Sequence, residues 1–537
     1  MDTGKVAMAY TLAGRYTFYY TNQNNWDEVT SILGSNFVAS ASLVLGLLDR
    51  ASLETSGILQ VHRQPYLDLL GRGVVVGIID TGIDYTLDTF RYEDGSTKIH
   101  YIYDQTIRGN APEPGWIGSE FTEEQINEAL KSPNPREIVP HEDSVGHGTF
   151  LASVAAGRPV GDFIGAAPDA GIIAVKLRKA RQHYLDRYLV PKNQENAFES
   201  SAVMLGVEYI LMKSRDLNKP AVICIGLGSN FGSHDGYSIF AEYLSGVSNL
   251  KGVCLCVAAG NESQARHHTQ GVITAKGDTQ NIDLIVGEPG ADVYISIWNN
   301  ASDRVSVSVS SPSGEMVGRV PAKPGTMRYT NLVMEPTTIN INYFFPLEGT
   351  GAQMTVVRLI RASPGIWTIT LHGDIILDGT FHAWLPMTGF IDPGVEFLST
   401  SPYYTITVPG VMIGSICCGA YDAQQESLYS RTSWGPTRIE QLAPDLVSPG
   451  VNIGGFYPSG YGRMSGTSAA TAILAGACAL MMQWGVVQGN DRALSTFQIR
   501  AYLIRGCTRS EGTQYPNPQW GYGVLDLMQT FQLMREL

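Results

Sequence analysis

A chain of 537 residues has room for more than one domain and for a large core. Its 44% hydrophobic and 16% charged residues are an ordinary globular balance, and a formal charge of -13 argues against a nucleic-acid partner. No stretch offers the run of about 20 apolar residues that a membrane span needs.

The chain opens MDTGKVAMAYTLAGRYTFYY, where Thr, Gly and Arg break the apolar residues and no clean cleavage pattern follows. This is not a secretory signal, so synthesis in the cytoplasm is expected. The cysteines at 224, 254, 256, 417, 418, 478 and 507 form no metal-like spacing. Most lie in apolar runs and their number is odd, which reads as buried free thiols in a reducing compartment.

Residues 1–50 read as a small separate piece, with a strand over Arg15–Thr21, a short helix over Asn25–Leu33 and an apolar strand region over Phe37–Leu48. The piece is too small to hold a large core alone. It either docks on the rest of the chain or serves as a leader.

From Gly71 the pattern changes. VVVGIID, ending at Asp80, is a continuous apolar run of strand length, the pattern of a parallel strand buried on both faces. Asp80 then lies at the strand's carboxyl end, where open α/β sheets gather functional groups; an Asx-turn closing the strand is the alternative. In HEDSVGHGTFLASVAA, residues 141–156, His147 opens an apolar helical run and is placed to project into a cleft, or else stands near a surface cap. His141 lies in the polar loop before it and is given no role. Strand Ile172–Leu177, helix Ala202–Ser214, strand Ala221–Gly226 and strand Gly252–Ala258 then alternate, as in a doubly wound parallel sheet. Asn261 follows the last of these, placed as a turn residue or as an amide donor to a developing oxyanion.

Between 268 and 400 the period becomes two. VYISIWN, VSVSVSS, TININYFF, TVVRLI, WTITLHG and FHAWL are short alternating segments parted by turn residues, the signature of an inserted antiparallel β-sandwich. Residues 404–458 return to the first style, with YTITVPGV, IGSICCGAYD and LAPDLVSPGVNI as strands and turns. GRMSGTSAATAILAG, residues 462–476, puts Ser468 at the start of an apolar helix. The unpaired N–H groups of a first turn favour negative charge, so a nucleophile there has an oxyanion site beside it. A plain N-cap at Thr467 or Ser468 is the alternative. The segment Tyr522–Leu537 carries helical spacing.

An aspartate, a histidine and a serine at strand ends or helix starts, with an asparagine at a fourth, have the types that nucleophilic catalysis needs. The histidine accepts the serine proton, the aspartate fixes the imidazole tautomer and donors hold the oxyanion. Asp, His, Ser is one of three chain orders known for this triad.

The motifs VVVGIIDTGID, GHGT, AAGN and SGTSAATAILAG, with FIGAAPDAGIIAVKL after the histidine helix, resemble the subtilisin-like serine proteases over roughly residues 51–265 and 405–537, the four motifs standing in the family's order. The resemblance implies Asp80, His147 and Ser468 as the triad and Asn261 as oxyanion donor beside the Ser468 N–H. It makes Leu227, Gly228, Ala258, Ala259 and Gly260 walls of the first specificity pocket. It implies an α/β fold: a doubly wound, mostly parallel sheet with seven parallel strands and flanking helices, and a short N-terminal pro-segment, beside the inserted antiparallel β-sandwich. The expected divisions are 1–50 for the pro-segment, 51–267 and 401–537 for the catalytic domain and 268–400 for the insert.

The insert and the stretch VICIGLGSNFGSHDG resemble the Csp-type subtilases of spore-forming Firmicutes. That resemblance implies an insert of jelly-roll type, spore association and, in some members, activation of a spore-cortex hydrolase precursor. Other members have lost triad residues and act as sensors.

The chain departs from the family at Ala469, Ala472 and Ile473, where Met, Pro and His are frequent, and at Gly226, where serine is common. The loop Gly157–Gly165 is short and lacks the asparagine-rich sequence of a familiar calcium site, which argues against bound calcium; no cofactor is required. The expected partners are a protein or peptide substrate and the chain's own N-terminal segment, with neither nucleic acid nor membrane. The function expected is peptide-bond hydrolysis through an acyl-enzyme on Ser468. The alternatives are a silent subtilase-fold sensor and a protein that binds chiefly through its sandwich.

Overall fold

The computed structural model describes residues 6–12, 16–34, 40–47 and 56–534. The N-terminal piece contributes strands β1 (Val6–Leu12) and β2 (Tyr16–Thr21), a helix over Trp26–Leu33 and strand β3 (Val44–Leu47). Part of the strand region expected over 37–48 lies outside the described residues. The main body then builds β4 (Val75–Asp80), β5 (Ile99–Asp104), β6 (Ser119–Thr122), β7 (Gly171–Lys176), β8 (Ala197–Glu199), β9 (Ala221–Ile225), β10 (Leu227–Gly228) and β11 (Val253–Ala258).

The central sheet has nine strands. Its path runs Ser427–Leu428, Ile416–Asp422, β11, β9, β4, β7, β5, β6, and Leu446–Pro449 also pairs with Ile416–Asp422. Every pairing is parallel except β5 with β6 and Ile416–Asp422 with Ser427–Leu428. All six residues of β4 are buried because helices cover both faces. Val75 and Ile79 pack into one core with Ile210 of the helix Ser200–Asp216, while Val76 and Ile78 pack into the other with Ala472 and Leu480 of the helix Thr467–Met482. Contrary to the expectation that no stretch is long and apolar enough to cross a membrane, the serine helix with its π-helical extension, Thr467–Val487, is; yet 83% of its most apolar 18-residue window is buried inside the protein. Its composition follows from lying in the core, with protein on all sides.

The seven cysteines are free and buried. Three that are dispersed in sequence, Cys254, Cys256 and Cys478, bring their sulfurs within 4.8 Å of one another where β11 meets the serine helix.

Two antiparallel sheets, of six and five strands, interrupt the catalytic fold between His268 and Phe397. They enclose a core of their own that includes Trp367, Tyr343 and Phe397. Where this sandwich meets the main body, His234 stacks on Trp384 at 4.1 Å, His268 Nε2 lies 3.2 Å from His382 Nδ1, and Arg438 pairs with the buried Asp235.

Burial holds the His234 pKa down at about 4 and, with Arg438 and His234 adding repulsion, that of His382 at about 3; His268 is also held well below its ordinary value by burial, then by His382. The unfolded chain protonates each imidazole near pH 6.5, so acidification below that pH favours unfolding until the folded forms also protonate, with each histidine contributing up to about 1.4 kcal/mol per pH unit. The melting temperature should therefore fall steeply between about pH 6.5 and 4, and less steeply in His382→Phe. A melting temperature that stays level across that range would contradict this account of the junction.

Candidate active site

Asp80 ends β4 fully buried. Its Oδ1 accepts from Thr81 N–H at 2.8 Å and lies 2.8 Å from His147 Nδ1. A carboxylate there selects the tautomer with a proton on Nδ1 and leaves Nε2 as the base.

His147 opens the helix His147–Ala156, which is seated against the Asp80 turn. Gly148 N–H donates to Thr81 Oγ1 at 2.9 Å. A Cβ at position 148 would come within 2.3 Å of Gly82 O, so only glycine allows this approach. Gly146, the N-cap, has φ +85° and no side-chain cap. Asp143 supplies the cap instead: Oδ1 accepts from Gly146 N–H at 2.8 Å, and Oδ2 from Thr149 N–H at 2.9 Å and Thr149 Oγ1 at 2.7 Å.

Ser468 is the second residue of its helix and is fully buried. Its hydroxyl donates to Gly226 O at 2.9 Å. A Cβ built on Gly226 would stand 3.2 Å from Ser468 Cβ and 3.5 Å from His147 Cε1, so the two side chains converge over this glycine. The same Cβ would strike Leu151 Cδ1 at 2.6 Å, which accounts for glycine where the family often has serine. Asn261 Oδ1 accepts from Thr467 N–H and Thr467 Oγ1, both at 3.2 Å. With the carbonyl end anchored beside Ser468, Nδ2 is the donor end of the amide.

The expected pocket residues lie on adjacent strand ends. Leu227 and Gly228 form β10; Ala258 ends β11 and Ala259 and Gly260 follow it, β11 being parallel to β9 with Val257 opposite Ile225. Gly260 has φ +109°, and a Cβ there would lie 2.6 Å from Thr407 Cγ2. β10 also carries a partner: β3 runs antiparallel between β10 and β8, with Gly46 opposite Gly228 on one side and Ala197 on the other.

Sequence reasoning passed over His141. It is buried, with Nδ1 2.7 Å from Asp104 Oδ2, and its Nε2 accepts from Ile83 N–H at 3.1 Å. Burial alone would raise the Asp104 pKa, but the hydrogen bond from His141, aided by those from Thr106, outweighs it and holds the pKa below the ordinary value. This second aspartate–histidine pair braces the turn that carries Asp80.

A carboxylate, an imidazole and a hydroxyl so disposed are the groups a nucleophilic serine needs, and the Asn261 amide beside them is placed as a donor to an oxyanion. The chain belongs to the Subtilase family, whose model matches residues 71–332 and 398–523. Its structure is similar to that of the CspB protease of Clostridium perfringens, with a TM-score of 0.80 and 32% identity over 90% of this chain and 98% of that one. This bears out the resemblance to the Csp-type subtilases. The chain is also similar to the PI-type proteinase of Lactococcus lactis subsp. cremoris, 22% identical over 461 residues, and to the subtilisin-like protease SBT3.16 of Arabidopsis thaliana, 22% identical over 452. Each match takes in 77% of this chain but only 22% of the first relative and 54% of the second, so the chain spans about a fifth and about half of their lengths.

His141→Ala would leave the buried Asp104 carboxylate without its partner and release the Ile83 N–H, costing about 3–5 kcal/mol of stability. Peptide hydrolysis by the folded remainder should show a lower kcat with KM little changed, because the fault lies in the Asp80 turn and not in the groove. Denaturant melts and steady-state kinetics of the variant check both; full activity would remove His141 from any positioning role.

Proposed function

We propose that the protein is a serine endopeptidase, made with a pro-segment that it removes itself. The observation that carries this reading is the convergence of His147 and Ser468 over Gly226, with Asp80 behind the histidine. His147 Nε2 takes the Ser468 proton as Oγ attacks the peptide carbonyl. Asn261 Nδ2 and the Ser468 N–H hold the oxyanion. The imidazolium returns the proton to the leaving amine, and water then releases the acyl group by the same route in reverse.

The pro-segment reading is supported by β3. It adds a strand to the cleft edge as an extended peptide substrate would, with main-chain pairing on both sides. Leu43, Val44 and Leu45 are buried there. The rest of the piece docks by aromatic contacts: Trp26 lies 5.6 Å from Tyr184, and Arg181 stands over the Tyr20 ring at 4.8 Å. The resemblance of the insert and of VICIGLGSNFGSHDG to the Csp-type subtilases is what suggests a spore-cortex hydrolase precursor as the substrate in trans. The filled cleft also gives the alternative its footing: a chain in which β3 never leaves is a silent subtilase-fold sensor.

Intact-mass analysis of purified wild type and Ser468→Ala tests the reading. The wild type should separate into an N-terminal fragment and a large remainder cut after Leu47 and before Gly57, and Ser468→Ala should stay whole. Cleavage that persists in Ser468→Ala belongs to another protease.

A further inference from the structure

The cleft around β3 shows which residue types it admits, and the inference that follows rests on β3 marking the path of a substrate. Gly46 is paired on both edges, so only the space above and below the strand remains for a side chain. That space is closed. A Cβ at position 46 would lie 2.9 Å from Phe390 Cζ, 3.1 Å from Phe390 Cε1 and 3.4 Å from Met387 Sδ. Both side chains are 2% exposed.

The wall is fixed by its own contacts. Phe390 N–H donates to Met387 O at 2.9 Å, Gln194 Nε2 donates to Gly389 O at 2.9 Å, and Thr388 N–H donates to a Glu262 carboxylate oxygen at 3.2 Å. The Phe390 ring is stacked at 6.2 Å on Phe231. The hydrogen bonds hold the backbone of residues 387–390 in place, and the stacking on Phe231 is the contact a rotation of the Phe390 ring would give up.

The backbone does not ask for glycine. Gly46 lies in a strand and is absent from the described residues with left-handed φ. Glycine weakens a strand interior, so local preference alone would favour almost any other residue. Space is the remaining reason for it. On the N-terminal side the demand reverses: Val44 and Leu45 are fully buried and fill apolar surroundings. Met387 and Phe390 belong to the connection between the sandwich strands Thr380–Trp384 and Val395–Phe397, so the insert itself supplies the wall.

We propose that Met387 and Phe390 make this protease selective for protein segments of the form aliphatic–aliphatic–glycine, with the glycine at the position that pairs with Gly228. The inserted sandwich is then a specificity element of the cleft.

The test reads self-processing of the full chain in a cell-free translation time course. Gly46→Leu should be processed at least about tenfold more slowly than wild type, the scale of forcing extra atoms into a packed site, and Gly46→Ala by less. Adding Phe390→Ala to Gly46→Leu should recover most of the lost rate. A second measurement removes the folding of the variant from the question: processed wild-type enzyme is given quenched-fluorescence peptides spanning residues 44–57 with Gly or Leu at position 46. The leucine peptide should show a kcat/KM at least about tenfold lower. Equal rates for the two peptides, or no recovery on opening Phe390, would overturn the proposal while leaving the protease reading intact. A wild type that neither processes itself nor reacts with a fluorophosphonate would overturn the protease reading, and this proposal with it.

Discussion

The site hangs on one buried hydrogen bond, between Asp80 Oδ1 and His147 Nδ1. A buried carboxylate is costly unless donors meet it; here Thr81 N–H and the imidazole both meet Oδ1, while Oδ2 is buried without a hydrogen-bond partner among the described residues. The bond works only if a strand end and a helix start approach within van der Waals distance. The sheet puts Asp80 at the carboxyl edge of its central strand, and Gly148 lets the histidine helix lie against the turn that follows. Thr81, Asp143, Thr149 and the Asp104–His141 pair fix the two segments to one another. Most of the polar chemistry near the site therefore holds geometry and never meets substrate.

The second organising feature is the edge strand beside the site. An open sheet edge is a template for any extended chain, and in this protein it is already covered by the chain's own Val44–Leu47. The sandwich, which has its own core, closes the groove from the other side through Phe390 and Met387. Three parts of the chain that read as separate modules thus meet at one short strand. The buried histidines at the sandwich junction tie that enclosure to pH, because neutral imidazoles packed on Trp384 have no room for hydrated charge.

Much of this was legible in sequence where the signal is local. Six buried residues in β4 produce the run VVVGIID, and a helix that begins at His147 produces a glycine-flanked start followed by apolar residues. The alternation in residues 293–385 marks strands whose two faces meet different surroundings: Val293, Ile295 and Ile297 face the sandwich core, and Tyr294 and Trp298 pack into the main body. What was not legible depends on contacts distant in sequence. His141 and Asp104 lie 37 residues apart, and nothing in either neighbourhood announces the other. The thiols of Cys254, Cys256 and Cys478 show no metal spacing yet sit together, because a strand and a helix from either side of the inserted sandwich pack there. The wall over Gly46 comes from a loop more than 300 residues later. Two local expectations also shifted. The region 404–411, expected to be strand and turn, holds only the bridge of Val408 to Ser229, and its N–H groups at Tyr404, Thr405 and Thr407 donate to the carbonyls of Gly435, Trp434 and Ala259. The helix expected from Tyr522 begins at Leu527, because Gly521 and Gly523, at φ +57° and +130°, hold a turn before it.

The central claim is that Ser468 is a nucleophile activated through His147 by Asp80. Its most direct test is reaction of the folded chain with a fluorophosphonate, read by intact mass and by the labelled peptide, beside Ser468→Ala and Asp80→Asn, after limited proteolysis has cleared the N-terminal piece from the cleft. The account predicts one adduct, on Ser468, absent in Ser468→Ala and formed about 10⁴-fold more slowly in Asp80→Asn, where the wrong tautomer would face the serine. A folded, cleared chain that takes no label at Ser468, or an Asp80→Asn variant that reacts as fast as wild type, would contradict it.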